Sequence, residues 1–139
     1  MAARREVRQA ALIISFEKLF LNDALEDIFN TAEESGEILV DDEVRNIVTS
    51  IFERQEEIDG IIGKFSDKRA VSRIPKIDLA ILRLAIYEAL YDDKVPVNVA
   101  ISEAVALTEK YALDADISFV NGVLGSFAKK LSGKEASKQ

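Results

Sequence analysis

Apolar residues return every three or four positions along most of the chain, the period of an α-helix with a buried face. No strand-like alternation persists between turn signals. A first helix is predicted from about Arg4 to Phe20, with Val7, Ala11 and Ile14 on one side and Leu12, Phe16, Leu19 and Phe20 on the other. A second, from about Asp23 to Ser35, carries Leu25, Ile28, Phe29 and Ala32 as one stripe, and Gly36 supplies its stop. A third starts near Asp41, whose carboxylate suits a cap, and its stripe runs through Val44, Ile47, Val48, Ile51, Ile58, Ile61 and Ile62 to Gly63. A short helical turn is expected in Phe65 to Arg73.

The segment Lys76 to Leu90 is the most apolar, broken only by Asp78, Arg83 and Glu88, and it is too long for an ordinary strand. It predicts a central helix packed on several sides. Pro96 precedes a further helix to about Tyr111, and Asp114 or Asp116 caps a last one to Leu131, with core stripe Val120, Val123, Leu124, Phe127 and Leu131. The fold expected is all-α, six or seven helices in a single domain over residues 1–131. Residues 132–139 are polar and predicted to form a disordered tail.

Composition narrows the chemistry. A chain of 139 residues has the usual size of one domain and buries roughly two-thirds of its unfolded surface. There is no cysteine and no histidine. Disulfides, thiolate metal sites, the commonest metal ligand and the commonest neutral-pH base are all excluded. Polar residues interrupt every apolar run before it could span a membrane, so a soluble, cytoplasmic protein is expected.

The net charge of −7 hides a segregated distribution. Residues 1–18 carry +2, 64–76 carry +4 and 129–139 carry +3, while 19–63 carry −11 and 77–128 carry −5. Local basic patches can bind a polyanion that the remaining surface repels. Solvated surface charge with no partner fits the same counts.

No catalytic constellation is visible, so no enzyme is expected, and neither a metal nor a cofactor. Gly63-Lys64-Phe65 lacks the glycine-rich context of a phosphate loop, and no EF-hand spacing is present. Two other groups of residues carry chemistry. Arg4, Arg5 and Arg8 fall within about 100° of each other on one helix flank, where guanidiniums suit RNA phosphates. Cations at a helix start oppose its dipole, which favours a functional reason over an ordinary charged end.

The second group is Ser118 to Gly125. Phe119 lies on the shoulder of its helix, partly exposed or packed on a neighbour, and Ser118, Asn121, Gly122 and Gly125 form a small polar face. A mid-helix glycine costs about 1 kcal/mol relative to alanine, so Gly122 calls for the close approach of another backbone or a nucleotide.

These residues also carry a resemblance. Ala3-Arg4-Arg5-x-x-Arg8-x-x-Ala11-Leu12 resembles the opening of NusB proteins. Arg73 followed by Asp78-x-x-Ile81-Leu82-Arg83-Leu84-Ala85-Ile86-Tyr87-Glu88 is similar to the family's central helix. Pro96-x-x-Val99-Ala100-Ile101-Ser102-Glu103-Ala104-Val105 and Phe119-Val120-Asn121-Gly122-Val123-Leu124 resemble its last two. Order and spacing hold over nearly the whole chain.

The resemblance implies seven helices in two small bundles packed at an angle. It implies binding of boxA-type single-stranded RNA jointly with a NusE-type small-subunit ribosomal protein. That complex joins RNA polymerase and suppresses premature termination, notably in ribosomal RNA transcription. By position it assigns RNA contact to Arg4, Arg5, Arg8, Arg83 and Phe119, with Asn121 and Gly122 beside the last. It assigns Phe16 and Asp78 to the ribosomal partner. Phe16 stands where many members have tyrosine, Ser102 replaces the usual asparagine, and Glu6 interrupts the arginine run.

A helical protein–protein adaptor without RNA contact is the rival reading. A third, the RNA-targeting domain of an RNA cytosine methyltransferase, would need a cofactor-binding βαβ region that does not occur up to Gln139. The apolar helix faces suit internal burial or a homodimer, which would mask the arginines.

Overall fold

The computed structural model describes residues 4–137, with side chains to residue 133. It divides into two compact units, residues 1–54 and 55–139. Among the described residues there are seven α-helices, one short 3₁₀ turn and no strand. No helix among them is long and apolar enough to cross a membrane.

The first unit contains α1 (Arg4–Lys18), α2 (Leu25–Ser35) and α3 (Asp42–Glu53), with α1 packed on both others. Its core is the predicted stripe: Val7, Ala11, Leu12 and Ile14 with Ile28, Phe29, Val44, Val48 and Ile51, all buried. Fully burying side chains of this size contributes roughly 1.5–3 kcal/mol each. Gly36 ends α2 at φ +68°, its N–H donating to the Ala32 carbonyl, a left-handed stop that glycine reaches without Cβ strain. Asp41 caps α3 by accepting from the Val44 N–H at 2.9 Å. Arg45 ties α3 to α2, donating to Glu33 at 2.6 Å and Glu26 at 3.4 Å with its guanidinium 5.2 Å from the centre of the Phe29 ring.

The single helix predicted from Asp41 to Gly63 is two. It breaks at Arg54, and α4 (Gln55–Phe65) follows. No proline or glycine marks the break, and the step from Ile51 to Ile58 keeps a seven-residue spacing. The apolar pattern therefore reads straight across the boundary between the units.

In the second unit α5 (Lys76–Tyr91) is central, packed on α4, α6 (Val97–Tyr111) and α7 (Asp114–Ser137). Leu79 to Ile86 are all buried, as expected of a helix with no outward face. Pro75 and Pro96 sit immediately before α5 and α6, where a missing N–H costs nothing. The turn expected in Phe65 to Arg73 narrows to a 3₁₀ turn over Val71–Arg73.

Helix α7 buries Val120, Val123, Leu124 and Phe127, then continues to Ser137, where the polar composition predicts a disordered tail. Gly133 keeps helical backbone instead of the left-handed stop that Gly36 makes, and Lys134, Glu135 and Ala136 after it are good helix formers. Residues 1–3, and the tail's Lys138 and Gln139, lie outside the described residues.

Candidate nucleic-acid interface

In the second unit, the end of α4 with the stretch after it and the first half of α7 enclose a groove of about 360 Å³. Phe65, Lys68 and Arg69 line one wall, and Ser118, Phe119 and Gly122 the other. The Arg69 guanidinium lies over the Phe119 ring, 4.5 Å from its centre. Phe119 is half-buried on its helix shoulder. A cation stacked on an aromatic at an open groove offers a flat platform to a nucleobase and a charge to a phosphate.

Beneath this platform lies an acid pair. Arg69 Nη1 is 3.5 Å from Asp116 Oδ1. Asp116 is almost fully enclosed, and Asp78 on α5 is completely so. No donor among the described residues reaches either Asp78 oxygen, and the carboxyl it faces is that of Asp116. Two carboxylates there repel, whereas one proton between them makes a hydrogen bond. Burial first, then that hydrogen bond and the charge of Asp116, push Asp78 up to about 7, with Arg69 pulling the other way.

Folded Asp78 thus holds its proton to about pH 7, against an ordinary value of 3.8. Its contribution to stability is fullest below the unfolded value, falls as pH rises between the two, and levels off above 7. No histidine titrates in that window. Between pH 5 and 8 stability, and with it the melting temperature, is therefore expected to fall. Asp78→Asn should flatten that slope, and a slope surviving in the variant would assign it to another group.

Asp78 is thus buried against α7 and not at the surface, where its position in the family implies a contact with the ribosomal partner. Helix α5 is covered on several sides, and residue 78 points at α7. Arg83, expected at RNA, is also in the core at 4% exposed. Its Nε and Nη2 donate to the two carboxylate oxygens of Asp59, each at 2.8 Å, clamping α5 to α4. The bidentate fork is directed at a carboxylate within the fold.

In the first unit Arg5 is exposed, Arg4 is partly so and pairs with Glu43, and Arg8 is buried at 5%. Two of the three arginines thus reach the surface, and Arg8 belongs to the packed part of α1. Phe16 is half-buried with its ring edge-on to Phe20 at 5.0 Å, and Phe20 is 61% exposed. These two rings form an apolar spot at the end of α1.

On α7, Asn121 and Gly122 are both exposed, and Gly122 lines the groove. Among the described residues no other part of the fold crowds Gly122: an added Cβ meets nothing within 4 Å, and the same holds at Gly125. Internal packing among the described residues does not account for the glycine, and of the two only Gly122 lines the groove. Gly122→Ala and Gly125→Ala should each stabilise the chain by about 1 kcal/mol in thermal unfolding. Only Gly122→Ala should also weaken a ligand seated in the groove. Equal effects of both on binding would remove Gly122 from the site.

Comparison with known proteins settles the lineage. The model of the NusB family matches residues 1–129. The chain belongs to the NusB family. It is 41% identical over 128 residues to the transcription antitermination protein NusB of Acetivibrio thermocellus, spanning 91% of this chain and 88% of that protein. It is 35% identical over 125 residues to NusB of Pseudarthrobacter chlorophenolicus, spanning 90% and 92%. Among solved structures it is similar to T. maritima NusB, with a TM-score of 0.79 at 30% identity and 92% of each chain covered. It is also similar to a chain in the crystal structure of antitermination factors NusB and NusE in complex with double-stranded RNA. There the TM-score is 0.79 at 25% identity, covering 91% of this chain and 96% of that one.

Within the NusB frame the resemblance located the right helices but not every side-chain direction. Reasoning from residues missed Arg69, Asp59 and Asp116. The +4 charge of segment 64–76 pointed toward Arg69 without singling it out. Nothing local in the sequence pairs Asp59 with Arg83, which lies 24 residues on.

Proposed function

We propose that this chain is a transcription antitermination factor that binds boxA-type single-stranded RNA together with a NusE-type small-subunit ribosomal protein. In this reading it acts within the RNA polymerase antitermination complex and promotes processive ribosomal RNA transcription. It works by binding rather than by catalysis, in the bacterial cytoplasm. The observation that carries the RNA reading is the stacked Arg69–Phe119 platform at an open groove, on a chain whose relatives are named for antitermination. Net positive charge is confined to short segments of an acidic chain, which favours a short RNA held locally over a long polyanion.

Arg4 and Arg5 supply phosphate contacts in this reading, Phe119 and Arg69 hold a base, and Asn121 and Gly122 border it. Phe16, with Phe20, is assigned to the ribosomal partner. The test is the salt dependence of RNA affinity in the Arg4→Ala, Arg5→Ala double variant. Each single-strand phosphate contact contributes about 0.7 to the slope of log K against log salt, so two lost contacts should reduce it by about 1.4. An unchanged slope would remove the arginines from the interface.

A further inference from the structure

The binding reading makes no use of the acid pair, yet the pair sits directly under the groove's cation. Contacts run outward from the core in one line. Asp78 on α5 faces Asp116, Asp116 lies 3.5 Å from Arg69, and Arg69 covers Phe119 at 4.5 Å. Asp116 and Phe119 are three residues apart on α7, hence neighbours on one helix face. The side chain of Arg69 is 36% exposed and that of Asp116 only 8%, so the charge reaches the groove while its anchor stays inside.

We propose that Asp116 is a positioning residue that holds Arg69 on Phe119, and that a proton shared by Asp78 and Asp116 sets how much of the Arg69 charge is left for an RNA phosphate. This rests on the reading of the groove as an RNA site. With the proton in place the pair carries one negative charge, which Arg69 balances. Without it two buried negative charges lie under one guanidinium, and the groove turns less favourable to a phosphate. RNA binding therefore takes up a proton, and by linkage RNA raises the proton affinity of Asp78.

The charged groups acting on Asp78 are Asp116 from α7 and Arg69 from the segment after α4. The residues α6 buries are Ala100, Ala104, Leu107 and Thr108, none of which titrates. On α4, Asp59 is engaged by Arg83. With neither histidine nor cysteine in the chain, no side chain has its ordinary pKa between 6 and 8.

The experiment is a fluorescence-anisotropy titration of a boxA-type RNA oligonucleotide with the full chain and a NusE-type protein, at pH 6 and pH 8. The expected affinity is lower at pH 8 by roughly 3- to 10-fold, and Asp78→Asn removes that difference. A double-mutant cycle between Asp116→Asn and Arg69→Ala should show non-additive losses, the signature of one group acting through the other. Carboxyl NMR of the unsubstituted protein gives a readout independent of any variant's folding: RNA should raise the pKa of Asp78. Equal affinities at the two pH values, or a pKa unmoved by RNA, overturn the proton linkage. Additive losses overturn the positioning role of Asp116. No binding at either pH overturns the RNA reading itself, and the inference with it.

Discussion

Replacing Arg83 by alanine is expected to lower stability by about 3 kcal/mol, near the bottom of the range for breaking a buried ion pair. The lower end applies because Asp59 keeps 22% of its side chain in contact with solvent, where water eases the loss. For a chain of this size the melting temperature should fall by roughly 6–12 °C. The loss has two sources. The Asp59 carboxylate is left without its two short donors, and the space once filled by the guanidinium opens between α4 and α5. Asp59→Ala should also be strongly destabilising, since it leaves a 4%-exposed guanidinium without its carboxylate. Thermal unfolding with the RNA titration separates this from a surface role. An Arg83 that served RNA directly would leave the melting temperature unchanged and lower affinity alone.

Phe119→Ala should do the reverse. Stacking of one base on an aromatic contributes about 1–3 kcal/mol, so RNA affinity is expected to drop roughly 5- to 150-fold. Arg69 also loses the ring it rests on, and the groove wall loses its flat face. The cost to the fold should be small, because the ring is half-buried on the helix shoulder and the stripe beneath it, Val120, Val123, Leu124 and Phe127, is untouched. Phe119→Trp keeps a stacking surface and should retain most of the affinity. A large fall in melting temperature with unchanged RNA affinity would make Phe119 a packing residue.

Helix identity was legible because period and caps act locally. Gly36 and Asp41 terminate and start their helices as the residue types predict, and the stripe of α7 packs as its spacing demands. The break at Arg54 was not legible, since the apolar spacing runs through it and no breaker residue marks it. At the site the difficulty was of another kind. Arg83, Asp78 and Arg8 look like surface chemistry because charged residues usually are, yet each is buried. Arg83 is there with a partner from a different helix, and Asp78 faces a second carboxyl. Such pairings join residues far apart in sequence, Asp59 with Arg83 and Asp78 with Asp116, and one-dimensional spacing carries no record of them. Phe119 was placed on its shoulder because that depends only on the angle around one helix, whereas the cation above it comes from another segment.

An antitermination factor of this kind binds its RNA selectively and with the assistance of a ribosomal partner. The measurement that tests it most directly is a fluorescence-anisotropy titration of labelled boxA-type RNA, with and without the NusE-type protein, beside a scrambled RNA. Binding to the boxA-type RNA should be tighter than to the scrambled one, and stronger still when the partner is present. Equal, weak binding to both RNAs, with or without the partner, would contradict it and leave a helical adaptor that works through protein surfaces alone.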